Sequence, residues 1–208
     1  GFWVGKFETG YDGATSTATA QVNNVDTSKI IIKPNVYSWR SIIVGNIFKN
    51  SYDYQRNLDS HMMKNTEWGA VAYLQHSTYG SGASVRINNN SAFITGYAGT
   101  EEPTLGYNTN GASIAGNRNE STALGVDGTY TVNYLNANSD VASTTGNKTG
   151  IYDMSGGSWD YVMGYTTGAT TVGGSSGITS LYPNFFTDNT YTKYWDKYTV
   201  VSTTLINY

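Results

Sequence analysis

No cysteine occurs anywhere in the chain, and that absence excludes disulfides, cysteine nucleophiles and thiolate metal sites. It leaves export open, since many bacterial surface proteins fold without disulfides. Charge is scarce too: Asp, Glu, Lys and Arg together make 13% of the sequence, about half the usual share. With a net charge of -3 there is no broad basic field for nucleic acid. No polybasic run suits an anionic membrane either. No stretch approaches the ~18 apolar residues that a spanning helix needs. The chain opens Gly1-Phe2-Trp3-Val4 without an initiator Met or a signal peptide, so it reads as a mature or excised piece of a longer product.

What is present is uncharged polarity and aromatic surface. At 208 residues the chain suits one sizeable domain, expected over residues 1–208. Aromatic residues make 14% of it, 18 of them Tyr, enough apolar surface to rule out disorder. Gly, Ser, Thr, Asn and Tyr in abundance form the profile of an exported, surface-displayed protein.

The familiar catalytic patterns fail one by one. His61 and His76 stand fifteen residues apart, far from the spacing of three or four that pairs ligands on one helix face, and loop anchoring is their expected role. Gly173-Gly174-Ser175-Ser176-Gly177 formally matches a nucleophile elbow. Its flanks supply neither the hydrophobic strand nor the helix that an elbow needs, so it reads as a Gly/Ser loop. No phosphate loop or dinucleotide fingerprint is present. Paired carboxylates stay open, because spacing in sequence says nothing about spacing in space.

Periodicity places a few elements. Phe2–Glu8 reads as an opening strand and Lys29–Lys33 as a second, ended by Pro34. Ser38 is a plausible N-cap for a helix that buries Trp39, Ile42, Ile43, Ile47 and Phe48. A second helix follows Asn65 or Thr66, with Glu67 in its first turn and Trp68, Val71, Ala72 and Leu74 facing inward. Beyond Tyr79 turn formers dominate, among them Asn108-Thr109-Asn110-Gly111 and Asp127-Gly128. Short strands are expected near Val85–Ile87, Phe93–Tyr97 and Tyr130–Tyr134. Helices early and short strands later make an α+β order.

One stretch is more specific: Gly150-Ile151-Tyr152-Asp153-Met154-Ser155-Gly156-Gly157-Ser158-Trp159-Asp160-Tyr161-Val162. It resembles the Gly-Leu-Tyr-Asp-Met-x-Gly-Asn-Val-Trp-Glu-Trp segment of the formylglycine-generating enzyme (sulfatase-modifying factor) family, whose fold is related to the C-type lectins. Phe2-Trp3-Val4-Gly5-Lys6-Phe7-Glu8 is similar to that family's opening, and Thr66–Leu74 to its Trp-x-x-Ala-x-x-Tyr-Cys helix. The three likenesses occur in the family's order across about three quarters of the chain. They imply a C-type-lectin-like α+β domain with two helices, a small, mainly antiparallel twisted sheet and long ordered loops.

The departures matter as much. The family's copper-holding cysteines are missing, which removes formylglycine chemistry. No cofactor is required on this reading. The resemblance does imply calcium near Asn147 and Asp160, although Gly157 replaces an Asn of the pattern. The family's closing Arg-Gly-Gly-x-Trp motif and final strand are absent as well. An unpaired edge at Phe2–Glu8 is therefore expected to favour self-association or strand addition.

Within Gly150–Val162, Tyr152, Trp159 and Tyr161 are expected in the core. The aromatic tail supplies candidate ligand contacts at Tyr182, Phe185, Tyr191, Tyr194 and Trp195, with half or more of the tail buried. The expected function is non-enzymatic recognition or adhesion at a bacterial surface, toward a host protein or glycan. A pilus or appendage subunit and a divergent enzyme of the same fold are the alternatives.

Overall fold

The computed structural model describes residues 1–80, 82, 93–97, 106–107, 113–114, 133–135, 139–154, 158–167 and 177–199. Among these the architecture is α+β. Three α-helices, α1 (Val44–Tyr54), α2 (Asn65–Ala72) and α3 (Ile178–Leu181), stand with six short strands. The strands are β1 (Gly10–Tyr11), β2 (Ile30–Ile31), β3 (Gly106–Tyr107), β4 (Ser113–Ile114), β5 (Gly164–Thr167) and β6 (Asp196–Thr199). They form three separate two-stranded ladders; β1–β2 and β3–β4 are antiparallel, and the longest, β5–β6, is parallel. The resemblance implies one small, mainly antiparallel sheet; among the described residues the strands pair only two by two. The segments between Gly and Asn punctuation are too short for long ladders, so side-chain bonds to backbone take over much of the pairing.

The N-terminal segment departs most from its sequence reading. Phe2–Glu8 is not a strand. Its Lys6 carbonyl accepts the Tyr152 N–H at 2.9 Å, and Phe7 stacks on Tyr152 with ring centroids 5.1 Å apart. The segment is therefore tied to the central motif by single contacts rather than by a continuous edge.

Helix α1 begins six residues later than its predicted cap. Trp39 and Arg40 already donate their N–H groups to Thr9 and Ala20 carbonyls, at 2.9 and 3.0 Å. Ser41 has φ +56, and that left-handed turn cannot sit inside a helix. Ser38 is fully buried and its hydroxyl faces Glu8. The helix end is instead held by Asn23, whose Oδ1 accepts from Ile43 N–H at 3.1 Å and from Asn46 Nδ2 at 2.9 Å. On the next turns Asn50 Oδ1 accepts from Asp26 N–H at 2.8 Å, and its Nδ2 donates to the Asn24 carbonyl at 3.0 Å.

Helix α2 matches its expected start at Asn65. Glu67 accepts the Lys64 N–H at 2.9 Å, and Asp196 accepts the Thr66 N–H at 2.7 Å. Two carboxylates thus meet the positive end of the helix, where orphan donors need partners. Val71 and Ala72 are buried, whereas Leu74 is exposed.

The larger apolar cluster unites α1, α3 and the C-terminal aromatics. Phe48, Met62, Met163, Ile178, Phe185 and Tyr194 are buried in it, with Tyr182, Tyr191 and Trp195 packed against them. A smaller cluster of Phe7, Ala142 and Tyr152 lies under Tyr134. The α1–α3 crossing depends on Gly45: a Cβ there would stand 2.6 Å from the Gly177 carbonyl carbon and 2.7 Å from Ile178 N. Backbone on both sides cannot yield. Gly45→Ala is expected to cost about 1–3 kcal/mol by overpacking, read as a lowered thermal midpoint.

Candidate functional site

The segment Asn35–Arg40 is a hub. It forms isolated bridges with Gly10, Gln21 and Ile94, so its side chains are set by three neighbouring stretches at once. Two features converge on it: an enclosed group of carboxyls below and an aromatic cleft above.

The carboxyl group comprises Glu8, Asp153 and, more peripherally, Asp160. Asp153 has φ +65, a region that non-glycine residues rarely adopt. Its carboxylate repays that conformation by accepting the Gly96 N–H at 2.8 and 2.9 Å and the Glu8 N–H. Even so, burial raises Asp153 to about 7, those bonds only partly offsetting it. Glu8 is raised well above the carboxylate range, first by burial and then by the negative charge of Asp153. Two acids this close cannot both be ionised cheaply, so burial and mutual repulsion favour the protonated forms.

Ser38 lies beside the pair, its hydroxyl against Glu8 Oε1 and within 3.1 Å of the Phe93 carbonyl. Donated to Glu8, its single hydrogen favours the charged carboxylate and so partly offsets the effect of burial.

Asp160 keeps much of its residue surface accessible, while its carboxyl is crowded by protein and held by the Trp68 side chain. Burial raises it to about 7. Water on its open side screens the charge, so we weigh it below the enclosed pair.

Above this group a cleft of about 290 Å³ opens between the Trp39–Ile42 turn and Ser158–Tyr161, with Ile47 and Phe93 also lining it. The Arg40 guanidinium carbon lies 3.5 Å from the Phe93 ring centroid, a close cation–π stack. Its Nη2 donates weakly to the Thr17 carbonyl at 3.4 Å, and its buried Nε has no hydrogen-bond partner. Ser158 Oγ, from a residue only 8% exposed, is likewise buried without a partner. Trp159 is 87% exposed and Tyr161 48%. Both therefore depart from the buried positions expected for them; only Tyr152 of that trio is in the core. The turn at Ser155–Gly157 lies outside the described residues.

The predicted site residues are placed otherwise. Phe185 and Tyr194 are buried, and Tyr182, Tyr191 and Trp195 pack half-buried around them. They form the core share of the aromatic tail. Tyr194 further spends its hydroxyl on Asp59 at 2.6 Å.

The two residues proposed for calcium are engaged separately. Asn147 Nδ2 donates to the Tyr79 carbonyl at 2.8 Å, and its Oδ1 accepts from Thr149 Oγ1 at 3.1 Å, while Asp160 faces Trp68. Among the described residues no three His, Asp or Glu side chains are grouped to hold a metal ion.

His61 has the anchoring role expected of it, with Nδ1 at 2.7 Å from the Asp59 carbonyl and Nε2 at 3.3 Å from Glu67. Ser175 lies outside the described residues; the one-turn α3 does follow Gly177. Sequence reasoning missed Arg40, Phe93 and Ser158 because each is unremarkable alone, and only the hub segment brings them together. Comparison with protein-family models, curated proteins and solved structures finds no match for this chain.

Proposed function

We propose that this chain is a non-enzymatic recognition domain of C-type-lectin-like architecture, displayed outside a bacterial cell, with the cleft at Arg40 and Trp159 as its binding site. The observation that carries the reading is Trp159. A Trp exposed to 87% beside a cleft whose walls hold two unpartnered polar atoms has the composition of a contact surface, not of a core. Support for the architecture comes from the three segments that resemble the formylglycine-generating family. They touch one another: Lys6 accepts from Tyr152 N–H, and Trp68 Nε1 donates to the Met154 carbonyl at 3.1 Å.

The raised carboxyls favour the enzyme reading less than their number suggests. None of Glu8, Asp153 and Asp160 lines the cleft, and Asp153 is spent on backbone N–H groups. A base that cannot reach a substrate proton does no general-base work. The appendage-subunit reading draws on Phe2 and Trp3, both exposed, and concentration-dependent filaments or oligomers in sedimentation would favour it.

The test is a glycan and extracellular-protein binding screen with the parent chain and Trp159→Ala. Loss of at least about tenfold in affinity, equal to about 1.4 kcal/mol, is expected for the variant with its thermal midpoint unchanged. Retained binding would place recognition elsewhere.

A further inference from the structure

The cleft is small and its polarity is uneven. A volume of about 290 Å³ lies at the lower end of ligand sites and suits one ring-sized group rather than an extended segment. Its side-chain inventory is one cation, Arg40, one buried hydroxyl, Ser158, and aromatic faces from Trp39, Trp159 and Tyr161. Leaving a buried N–H or O–H unsatisfied is costly, about 1–3 kcal/mol each, and more for charged groups. Arg40 Nε and Ser158 Oγ leave the cleft walls incompletely paired, although neither atom is itself open to solvent, so a guest is met by the other N–H groups of Arg40.

We infer that this cleft binds an acidic sugar residue, a uronic acid of an extracellular glycan, with its carboxylate on Arg40 and its ring face on Trp159. The inference rests on the recognition reading above and names its ligand class.

The chemistry fits on three counts. A guanidinium held 3.5 Å over the Phe93 ring centroid still has N–H groups in a planar fork, the geometry that a carboxylate accepts. The acid whose charge acts on Arg40 is Glu8, and burial pushes Glu8 toward its neutral form, which leaves more of the cation's field to a ligand. A sugar ring has an apolar C–H face and a hydroxyl rim; the exposed indole covers the first, and the exposed Ser41 and Tyr161 at the cleft carry hydroxyls for the second.

The experiment is calorimetric titration of the whole chain with trigalacturonate, with neutral galactotriose, and with a short peptide bearing a free C-terminal carboxylate. Trigalacturonate is expected to bind about tenfold more tightly than the neutral sugar, the worth of one charge-assisted bond pair. That preference is expected to shrink at high salt and to vanish in Arg40→Gln, while Trp159→Ala weakens both sugars. Should Arg40→Gln fail to fold, the loss of the parent's acidic preference at high salt carries the test, and a preference unchanged by salt overturns it.

Equal affinity for the two sugars, lost in Trp159→Ala, overturns the acidic preference and leaves the recognition site standing. Preference for the peptide overturns it in favour of a protein ligand. Sugar binding indifferent to Arg40 and Trp159, or no binding by trigalacturonate, overturns the inference. If, in addition, Trp159→Ala leaves every hit of the broader screen intact, the cleft itself is dismissed.

Discussion

Phe48→Ala is expected to destabilise the protein by about 3–5 kcal/mol, lowering its thermal midpoint by roughly 10 °C for a chain of this size. Phe48 is fully buried, and its ring is surrounded by others: Phe185 edge-on at 4.7 Å, Tyr52 stacked at 5.5 Å and Tyr182 edge-on at 5.5 Å. Tyr194 and Tyr191 follow at 6.0 and 6.5 Å. Removing the central ring takes its own burial and also the edge-to-face contacts of its neighbours, each worth about 0.5–1.5 kcal/mol beyond area. The helix α1, which carries Phe48, and the C-terminal aromatics then lose their common partner. Phe48→Leu refills part of the volume and should lose less than half as much. Chemical denaturation of both variants is the measurement. A Phe48→Ala loss below about 1 kcal/mol would mean that these rings are separable patches rather than one core.

The second large effect is a fall in stability as pH rises. Asp153 stands at about 7 against an ordinary value of 3.8, and Glu8 is also raised, burial being the first cause in each case. Across that interval the folded chain therefore keeps protons that the unfolded chain has released. The stability carried by the neutral carboxyls is complete below about pH 4 and is lost as the pH climbs through about 7. Each such group contributes a slope of up to about 1.4 kcal/mol per pH unit inside its window. The thermal midpoint should thus decline between about pH 5 and pH 8.

Asp153→Asn should flatten that decline by about one proton's worth. Asn tolerates positive φ and keeps one acceptor for the Gly96 N–H, so the substitution removes the charge with little change of shape. Asp188→Asn is the control. That carboxylate is exposed and lowered by the Thr190 N–H, so it is ionised in both states throughout the range and should leave the slope alone. A parent midpoint that is constant or rising from pH 5 to pH 8 would contradict the enclosed-carboxyl account.

Parts of the scaffold could be read directly. The start of α2 at Asn65 and the strand at Ile30–Ile31 inside Lys29–Lys33 follow local signals. These are short-range properties: an acidic first turn and a β-branched run. The site was less legible. Asp153 was visible as a motif residue, but nothing local announces that its carboxyl would meet Glu8, 145 positions earlier. Trp159 and Tyr161 looked like core because rings usually are, and here both stand in solvent.

Composition and local pattern alone determined that this chain has no thiol chemistry, little charge, helices early and aromatic surface in plenty. Tertiary structure decided which aromatics are spent on stability and which stay outside. It also decided that Arg40, Phe93 and Ser158, from three distant stretches, share one cleft. The reason is physical. Propensity acts over a few residues, whereas burial and the environment of a charge depend on whichever segments the fold brings within several ångströms.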